Sequence, residues 1–540
     1  MKDISSTGSF INFYLNNYIY VDKTQYIRDL IKLERVFISR PRRFGKSLTL
    51  DTIATLFETG VEPYFKGTWI YDKWTEPTYP VLRLNFLDLD KYSLEHFKQK
   101  LNAIISSFAR DINVKNYEEK VEPEDTIYFL LDELRKEKRQ IVILIDEYDC
   151  QMTANINNET LYKQFQEKIK SFYATIKNKW PIKFLGITGV TRLKDVEIFS
   201  IGSDINDITN DSVYSQMIGF TRDEIKKYYI DYLTLAASYE NKCRVEEVTD
   251  TQIESMLDMM AQNYDGYCFD EFYKKKVFST WSVNKFFQSV VSNKFVYFGE
   301  YWYDNGGLPS ILVNYLKTHE LNIFEYLDKD KFLKVSSDDF KNPTALTTIN
   351  QNVLMCQTGY LTLRSDLNKT STVALGIPNG EIYKALNRLL ANNIFKGNTD
   401  ITDDYGRSLL EVGTVDDIIN LFNSALNSVS YDNYPIVSES SVQNMLKLYL
   451  LGAHQKVLSE VHEAKGRADL VVNTDNRRIV FEFKYAKNET EAKSKLHDAV
   501  EQIKTRDYGN IVPNKTELLR IAAVFNADPK VRAFTEYQEV

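Results

Sequence analysis

The chain has 540 residues, 43% of them hydrophobic and 13% aromatic, with a formal net charge of −8. That length accommodates about three or four domains, each able to bury a sizeable core. The acidic balance argues against a broad, non-specific coat for nucleic acid and leaves room for a local basic groove. The opening residues, Met1-Lys2-Asp3-Ile4-Ser5-Ser6, contain no basic stretch leading into an apolar one, and no window approaches the ~20 apolar residues of a membrane span. Cys150, Cys243, Cys268 and Cys356 lie far apart and form no C-x-x-C, so neither a zinc ribbon nor a disulfide framework is indicated. They read as thiols in a reducing compartment. The expectation is a cytoplasmic chain with no membrane partner.

From about Tyr20 to Phe220 strand-like and helix-like segments alternate. Val36–Ser39, Val81–Phe86, Ile141–Ile145 and Phe184–Thr188 read as strands; Leu48–Phe57, His96–Arg110 and Thr126–Glu137 read as helices. This rhythm predicts a parallel sheet covered by helices. Between the first strand and the first helix lies Arg40-Pro41-Arg42-Arg43-Phe44-Gly45-Lys46-Ser47. A tight loop ending in Gly45-Lys46-Ser47 and opening a helix is built to turn backbone N–H groups toward phosphates. In that chemistry Lys46 reaches the β/γ-phosphates of a nucleotide such as ATP, and Ser47 ligates Mg²⁺. Arg40 stands where the first glycine of G-x-x-x-x-G-K-[ST] is usual.

Ile141–Ile145 is wholly apolar, as a strand buried on both faces requires, and it ends in Asp146-Glu147. Asp146 can hold Mg²⁺, and Glu147 can orient or deprotonate an attacking water. Alone this is equally an acidic strand end on the surface; the loop upstream tips the balance toward a nucleotide site. Thr188 and Arg192, at the end of the fourth strand, are candidates to sense a γ-phosphate, with a solvated strand end as the even alternative.

From Thr221 to about Lys317 the pattern is helical and rich in Tyr and Phe, with helices expected over Arg222–Leu235 and Thr251–Asn263, as in a lid or winged-helix-like region. Tyr267-Cys268-Phe269 and Tyr301-Trp302-Tyr303 read as packing clusters in preference to base-stacking platforms. Val353–Arg364 reads as a strand and Pro378–Ala391 as a helix.

Near the C-terminus, Gly466-Arg467-Ala468-Asp469-Leu470-Val471-Val472, a polar turn, and Ile479-Val480-Phe481-Glu482-Phe483-Lys484-Tyr485 predict a hairpin. Alternation puts Glu482 and Lys484 on one face and Phe481, Phe483 and Tyr485 on the other. The hairpin can bring Asp469 to Glu482. Two carboxylates with a lysine suit metal-assisted phosphodiester cleavage: Asp469 and Glu482 as hard-oxygen ligands for Mg²⁺ or Mn²⁺, Lys484 to position water or neutralise developing charge. A surface Glu–Lys pair is the bland alternative for E-x-K alone. Gln502 and Tyr508, in and beyond a helix expected over Lys493–Ile503, and Glu439, ahead of a helix over Ser440–Leu451, are further contributors; Ile521–Phe525 reads as a strand. Residues 456 to 507 carry 11 Lys/Arg against 10 Asp/Glu, so this region is less acidic than the whole.

Taken together, Tyr20-Val21-Asp22-Lys23-Thr24, Arg40 to Ser47, Leu144-Ile145-Asp146-Glu147-Tyr148-Asp149, Ile187-Thr188-Gly189-Val190, Asn206-Asp207-Ile208-Thr209, Gln357-Thr358-Gly359-Tyr360-Leu361, Gly466 to Asp469 and Glu482-Phe483-Lys484 resemble the AAA-ATPase-like proteins that carry a C-terminal PD-(D/E)XK nuclease superfamily domain. The resemblance covers nearly the whole chain. It implies an α/β fold: a P-loop NTPase parallel sheet over 1–220, a helical or winged-helix-like middle over 221–433, and an α/β nuclease-like domain over 434–540. Arg40 at the first loop position is similar to the family's own habit. Arg40, Arg42 and Arg43 are then candidate phosphate contacts, with structural salt bridges an even alternative for Arg42 and Arg43. Ala468 departs from the bulkier apolar residue often found before the Asp. The implied function is an ATP-binding, ATP-hydrolysing switch coupled to a metal-dependent nuclease, with nucleic acid as partner (DNA in preference to RNA), in defence or mobile-element biology. A homo-oligomer is compatible, since AAA-type enzymes often borrow an arginine from a neighbour. The competing function is a signalling or scaffold ATPase whose nuclease-like domain only binds nucleic acid or protein.

Overall fold

The computed structural model describes every residue except 178, 193–204, 303–309, 317–322, 344, 347, 396–404, 454, 464–465 and 509–516. The chain divides into two compact units, Met1–His319 with Phe332–Ile382, and Glu320–Lys331 with Tyr383–Val540.

In the first unit, β1 (Arg35–Ser39), β2 (Val81–Asn85), β3 (Ile141–Asp146), β4 (Ile182–Gly189) and β5 (Asn206–Asp207) form an all-parallel sheet in the order β2-β3-β4-β1-β5. Long helices accompany it: α1 (Lys46–Thr59), α2 (Leu94–Asp111), α3 (Pro123–Lys136) and α4 (Glu159–Ile176). Ile141 to Ile145 are all buried, which is why the sequence there is an unbroken apolar run. Val36 pairs with Gly186 and Ile143 with Leu185, so the carboxyl ends of β1, β4 and β3 come level at one edge. Ligands in open α/β sheets bind outside the carboxyl ends of such strands.

The same unit continues through α5 (Arg222–Tyr228), α6 (Ile230–Asn241), α7 (Asp250–Tyr264) and α8 (Thr280–Asn293). One helix was expected over Arg222–Leu235, but the structure breaks it at Tyr229, which leaves the helical region at φ −114°. Its ring stacks on Phe287 at 5.3 Å and its hydroxyl donates to Asn284 Oδ1 at 2.6 Å, a tertiary anchor that overrides local propensity. A small antiparallel sheet, β6 (Leu333–Ser336), β7 (Thr362–Leu363) and β8 (Thr372–Gly376), follows in the order β6-β8-β7. The expected strand over Val353–Arg364 is corrected: Gln351–Thr358 is a helix, α9, and only Thr362–Leu363 is extended. Asn350 caps it by accepting from the Asn352 N–H, and Gly359 ends it in the left-handed region at φ 93°, so both ends carry helix signals that outweigh the apolar run. Tyr267 packs edge-on to Phe44 at 4.7 Å and Trp302 edge-on to Tyr360 at 5.2 Å; Tyr303 lies outside the described residues. Gly380–Ile394 is helical, close to the expected bounds.

In the second unit, α11 (Val415–Asn427), counting Gly380–Ile394 as α10, and α12 (Glu439–Gly452) precede a five-stranded sheet: β9 (Lys456–Glu463), β10 (Gly466–Asn473), β11 (Arg477–Ala486), β12 (Glu517–Asn526) and β13 (Ala533–Glu539), ordered β13-β12-β11-β10-β9. Only β11 and β12 run parallel; α13 (Glu489–Arg506) is the crossover that this requires. Phe481 and Phe483 stack on one face at 5.5 Å, against Phe422 and Phe534, while Val480 on the opposite face packs with Ala499 and Ile503 of α13. Glu482 and Lys484 share the α13 face by alternation. No helix among the described residues is long and apolar enough to cross a membrane.

Phe481→Ala empties the centre of this aromatic stack. The expected cost is about 3–5 kcal/mol, read as a fall in the urea midpoint of the unfolding transition; a loss below about 1 kcal/mol would contradict the packing described.

Candidate active sites

The first site grows from the loop between β1 and α1. Arg43 and Gly45 take φ 70° and 105°, and Gly45 is the N-cap residue of α1. A residue at φ 105° is strained unless it is glycine. The turn puts Lys46 and Ser47 in the first turn of α1, at the helix's positive end. Ser47 Oγ donates to Asp146 Oδ2 at 2.5 Å. Thr188 Oγ1 and the Glu147 N–H donate to Asp146 Oδ1, the latter at 3.0 Å. The Asp146 carboxylate therefore ties β3, β4 and the loop helix together. Lys46 is buried; its Nζ lies 3.3 Å from Glu147 Oε1 and donates to the carbonyls of Arg40 at 3.1 Å and Pro41 at 3.3 Å. A cavity of about 600 Å³, large enough for a nucleotide, is lined by Ser6, Arg43, Lys46, Ser47, Glu147 and Trp281 among others. The donor set fits nucleotide and Mg²⁺: a glycine turn, a helix start, a buried lysine and a Ser–Asp oxygen pair.

The other expected residues fall differently. Arg43 lies over the Trp281 ring at 4.1 Å and does line the cavity. Arg40 does not. It is 1% exposed, sits over Phe269 at 4.1 Å and donates to the carbonyls of Ser39 and Thr209. Burial pushes its pKa down to about 9, opposed by the nearby Asp207 charge. The expected phosphate contact from Arg40 is thus corrected to an internal brace for the loop. Arg192 is paired with Asp207 and donates to the Lys341 carbonyl at 2.5 Å, and Thr188 is taken up by Asp146; neither lines the cavity.

Behind Glu147 stands Asp149, a residue the sequence reading gave no role. It is fully buried and accepts from the Val190 and Thr191 N–H groups and from Thr191 Oγ1, while the Tyr148 hydroxyl donates to the Thr191 carbonyl. Burial raises its pKa, and Glu147 adds to the shift. These bonds fasten the turn after β3 to the end of β4. Gly189 is required there, since a Cβ would stand 2.4 Å from the Tyr148 ring. The tight Asp-Glu-Tyr-Asp spacing was the available signal.

The second site lies wholly in the second unit. Leu470 pairs with Phe481 across the β10–β11 hairpin, and Asp469 Oδ2 accepts the Phe483 N–H at 2.9 Å. Glu482 is 0% exposed; its Oε1 is 2.7 Å from Lys484 Nζ, and its Oε2 is buried with no hydrogen-bond partner among the described residues. Burial first, and then the Asp469 charge, pushes its pKa up to about 7, with Lys484 opposing. Lys484 also lies 3.4 Å from Glu439 Oε1 at the start of α12, and the Gln443 side chain, one turn on, donates to the Asp469 carbonyl. The hairpin thus brings Asp469, Glu482 and Lys484 together, with Glu439 at the edge. Gln502 is half-buried and donates to the Tyr508 hydroxyl at 3.3 Å. A buried carboxylate oxygen without a partner beside a second carboxylate suits a hard divalent cation. No group of three or more His, Cys, Asp or Glu side chains arranged to hold a metal occurs among the described residues, so water and phosphate oxygens would complete the shell, as Mg²⁺ prefers.

Residues 5–199 match the model of a predicted AAA-ATPase, and residues 437–535 match that of the PD-(D/E)XK nuclease superfamily. The chain thus carries a predicted AAA-ATPase domain in its N-terminal part and a PD-(D/E)XK nuclease superfamily domain at its C-terminal end. An uncharacterized protein in the vnfD 5′ region of Azotobacter chroococcum mcd 1 is 25% identical over 532 residues, spanning 95% of this chain and 94% of that one. Among solved structures, Cdc6p from Pyrobaculum aerophilum is 11% identical over 68% of this chain and 93% of its own, with a TM-score of 0.23. The Aeropyrum pernix ORC1 protein in complex with DNA is 10% identical over 71% and 97%, with a TM-score of 0.26.

Two outcomes test this geometry. Gly189→Ala should cost about 1–3 kcal/mol in denaturant unfolding, because the Tyr148 ring must move; an unchanged midpoint contradicts the close approach. Glu482 carries a folded pKa near 7, above the ordinary 4.5, so its contribution to stability is complete below about 4.5 and is lost as pH rises through about 7. In chelator, wild type should therefore lose stability relative to Glu482→Gln across that window; parallel pH profiles would contradict the burial of an ionising group.

Proposed function

We propose that the chain is an ATP-binding and ATP-hydrolysing switch whose nuclease-like domain cleaves nucleic-acid phosphodiesters in a metal-dependent reaction. The observation that carries it is Glu482: a buried carboxylate with one lysine-bonded oxygen and one orphan oxygen, next to Asp469, in a chain that also holds a Lys46–Ser47–Asp146–Glu147 cluster.

At the first site, Mg²⁺ bound with ATP would neutralise charge on the β- and γ-phosphates. Ser47 and Asp146 would hold that ion. Lys46 exchanges Glu147 and two loop carbonyls for phosphate oxygens, and Glu147, so released, orients or deprotonates the attacking water. Arg43 adds positive charge at the cavity wall. Thr188 keeps Asp146 in place, and Arg192 reaches a γ-phosphate only by leaving Asp207.

At the second site, a divalent ion would supply Lewis-acid polarisation of the phosphoryl oxygen and a bound water of lowered pKa. Asp469 and Glu482 provide the oxygens that hold it. Lys484, steadied between Glu482 and Glu439, positions the water or offsets charge developing on the phosphate. Gln502 orders the neighbouring Tyr508. ATP state, through the middle helices, gates access to this site; destruction of foreign or mobile DNA in the cytoplasm is the biology such a pairing serves.

Lys46→Ala should abolish ATP binding, and Glu147→Gln should retain binding while slowing phosphate release by about 10²-fold or more. Phosphate release unchanged in Glu147→Gln would remove the hydrolysis step. Plasmid and single-stranded DNA incubated with Mg²⁺ or Mn²⁺ should be cut by wild type and not by Glu482→Ala or Lys484→Ala. Identical behaviour of all three would remove the nuclease and favour a chain that only binds.

A further inference from the structure

The last turn of α13 carries a residue that the proposed reaction does not yet use. Arg506 lies one turn after Gln502, and at that spacing the two side chains share a helix face. Both donate to the same atom, the hydroxyl oxygen of Tyr508, Arg506 Nη1 at 3.0 Å and Gln502 Nε2 at 3.3 Å. Tyr508 is 0% exposed and packs with Ala468, the residue before Asp469, and with Val480 and Ala522, which flank Glu482 along and across the sheet. The buried phenol therefore fixes an exposed guanidinium to the face that carries the two carboxylates.

We propose that Arg506 binds a phosphate of the nucleic-acid strand at the Asp469–Glu482 site, aimed there by Tyr508, and so acts as a positioning residue for cleavage. This rests on reading the C-terminal unit as a phosphodiester site. Among the described residues, Arg506 makes one hydrogen bond to protein, leaving guanidinium N–H groups for the planar, bidentate recognition that phosphate favours. The Tyr508 hydroxyl first, and the charges of Glu482 and Asp469 in addition, raise its pKa, which places Arg506 within electrostatic reach of both carboxylates. A guanidinium at that range offsets the repulsion that two carboxylates exert on an incoming phosphodiester. The competing role is purely structural, a cation at a helix C-terminus favoured by the helix dipole. That role would affect stability and leave phosphate binding alone.

Salt dependence separates the two. A fluorescent DNA duplex is titrated with full-length wild type, Arg506→Ala and Arg506→Lys in Ca²⁺ over a range of KCl concentrations. Arg506→Ala is expected to weaken binding about tenfold and to reduce the slope of log K against log salt by about 0.9, one phosphate contact; Arg506→Lys restores the slope. Wild-type affinity and slope in Arg506→Ala would overturn the assignment while leaving the nuclease reading intact. Absence of DNA binding by wild type at every salt concentration would overturn both.

Discussion

A carboxylate removed from water must be neutralised, and Glu482 is neutralised on one side only. Lys484 meets Oε1, while Oε2 faces no donor among the described residues. Removing an unpaired charge from water is among the most expensive arrangements a fold can hold, and such groups shift pKa or bind a cation. Much of the second unit follows from placing this one side chain. The Phe481–Phe483 stack fixes β11 against α11 and β13, and strand alternation then leaves Glu482 and Lys484 no choice but the α13 face. The hairpin register delivers Asp469, and its bond to the Phe483 N–H locks the two strands where the carboxylates meet.

The nucleotide site uses the same logic with the opposite charge at its centre. Lys46 is buried, and Glu147 and two carbonyls satisfy it. These are bonds that a triphosphate can replace, so the pocket holds its cation ready without leaving it unpaired. Around it, Asp146 and Asp149 play different parts. Asp146 joins the loop helix to β3 and β4 through three donors; Asp149, deeper, pins the turn to Val190 and Thr191 and gives Glu147 a rigid base. Arg40 braces the other side of the loop from within the core.

What could be read from the sequence was set by distance along the chain. The apolar run before Asp146, the Gly-Lys-Ser turn and the alternation through Glu482 are local patterns, and the structure forms the strands, helix and hairpin they call for. Contacts between distant residues were hidden. Arg40 turns inward because Phe269 and Thr209 are waiting for it, and Arg192 is engaged by Asp207; neither partner is marked by spacing. The Val353–Arg364 segment misled because an apolar run of that length suits strand and helix alike, and the deciding residues, Asn350 and Gly359, are a cap and a stop. Gln443 and Arg506 became visible only once α12 and α13 were laid beside the sheet.

Calorimetric titration of metal-free protein with Mn²⁺, in buffers of different ionisation enthalpy at pH values below and above 7, measures directly whether the half-neutralised carboxylate is a cation site. Binding should strengthen with pH up to about 7, release a proton below that point, and be lost in both Asp469→Asn and Glu482→Gln. Mn²⁺ uptake at this site with no proton release below pH 7, or uptake unaffected by either substitution, would contradict the account.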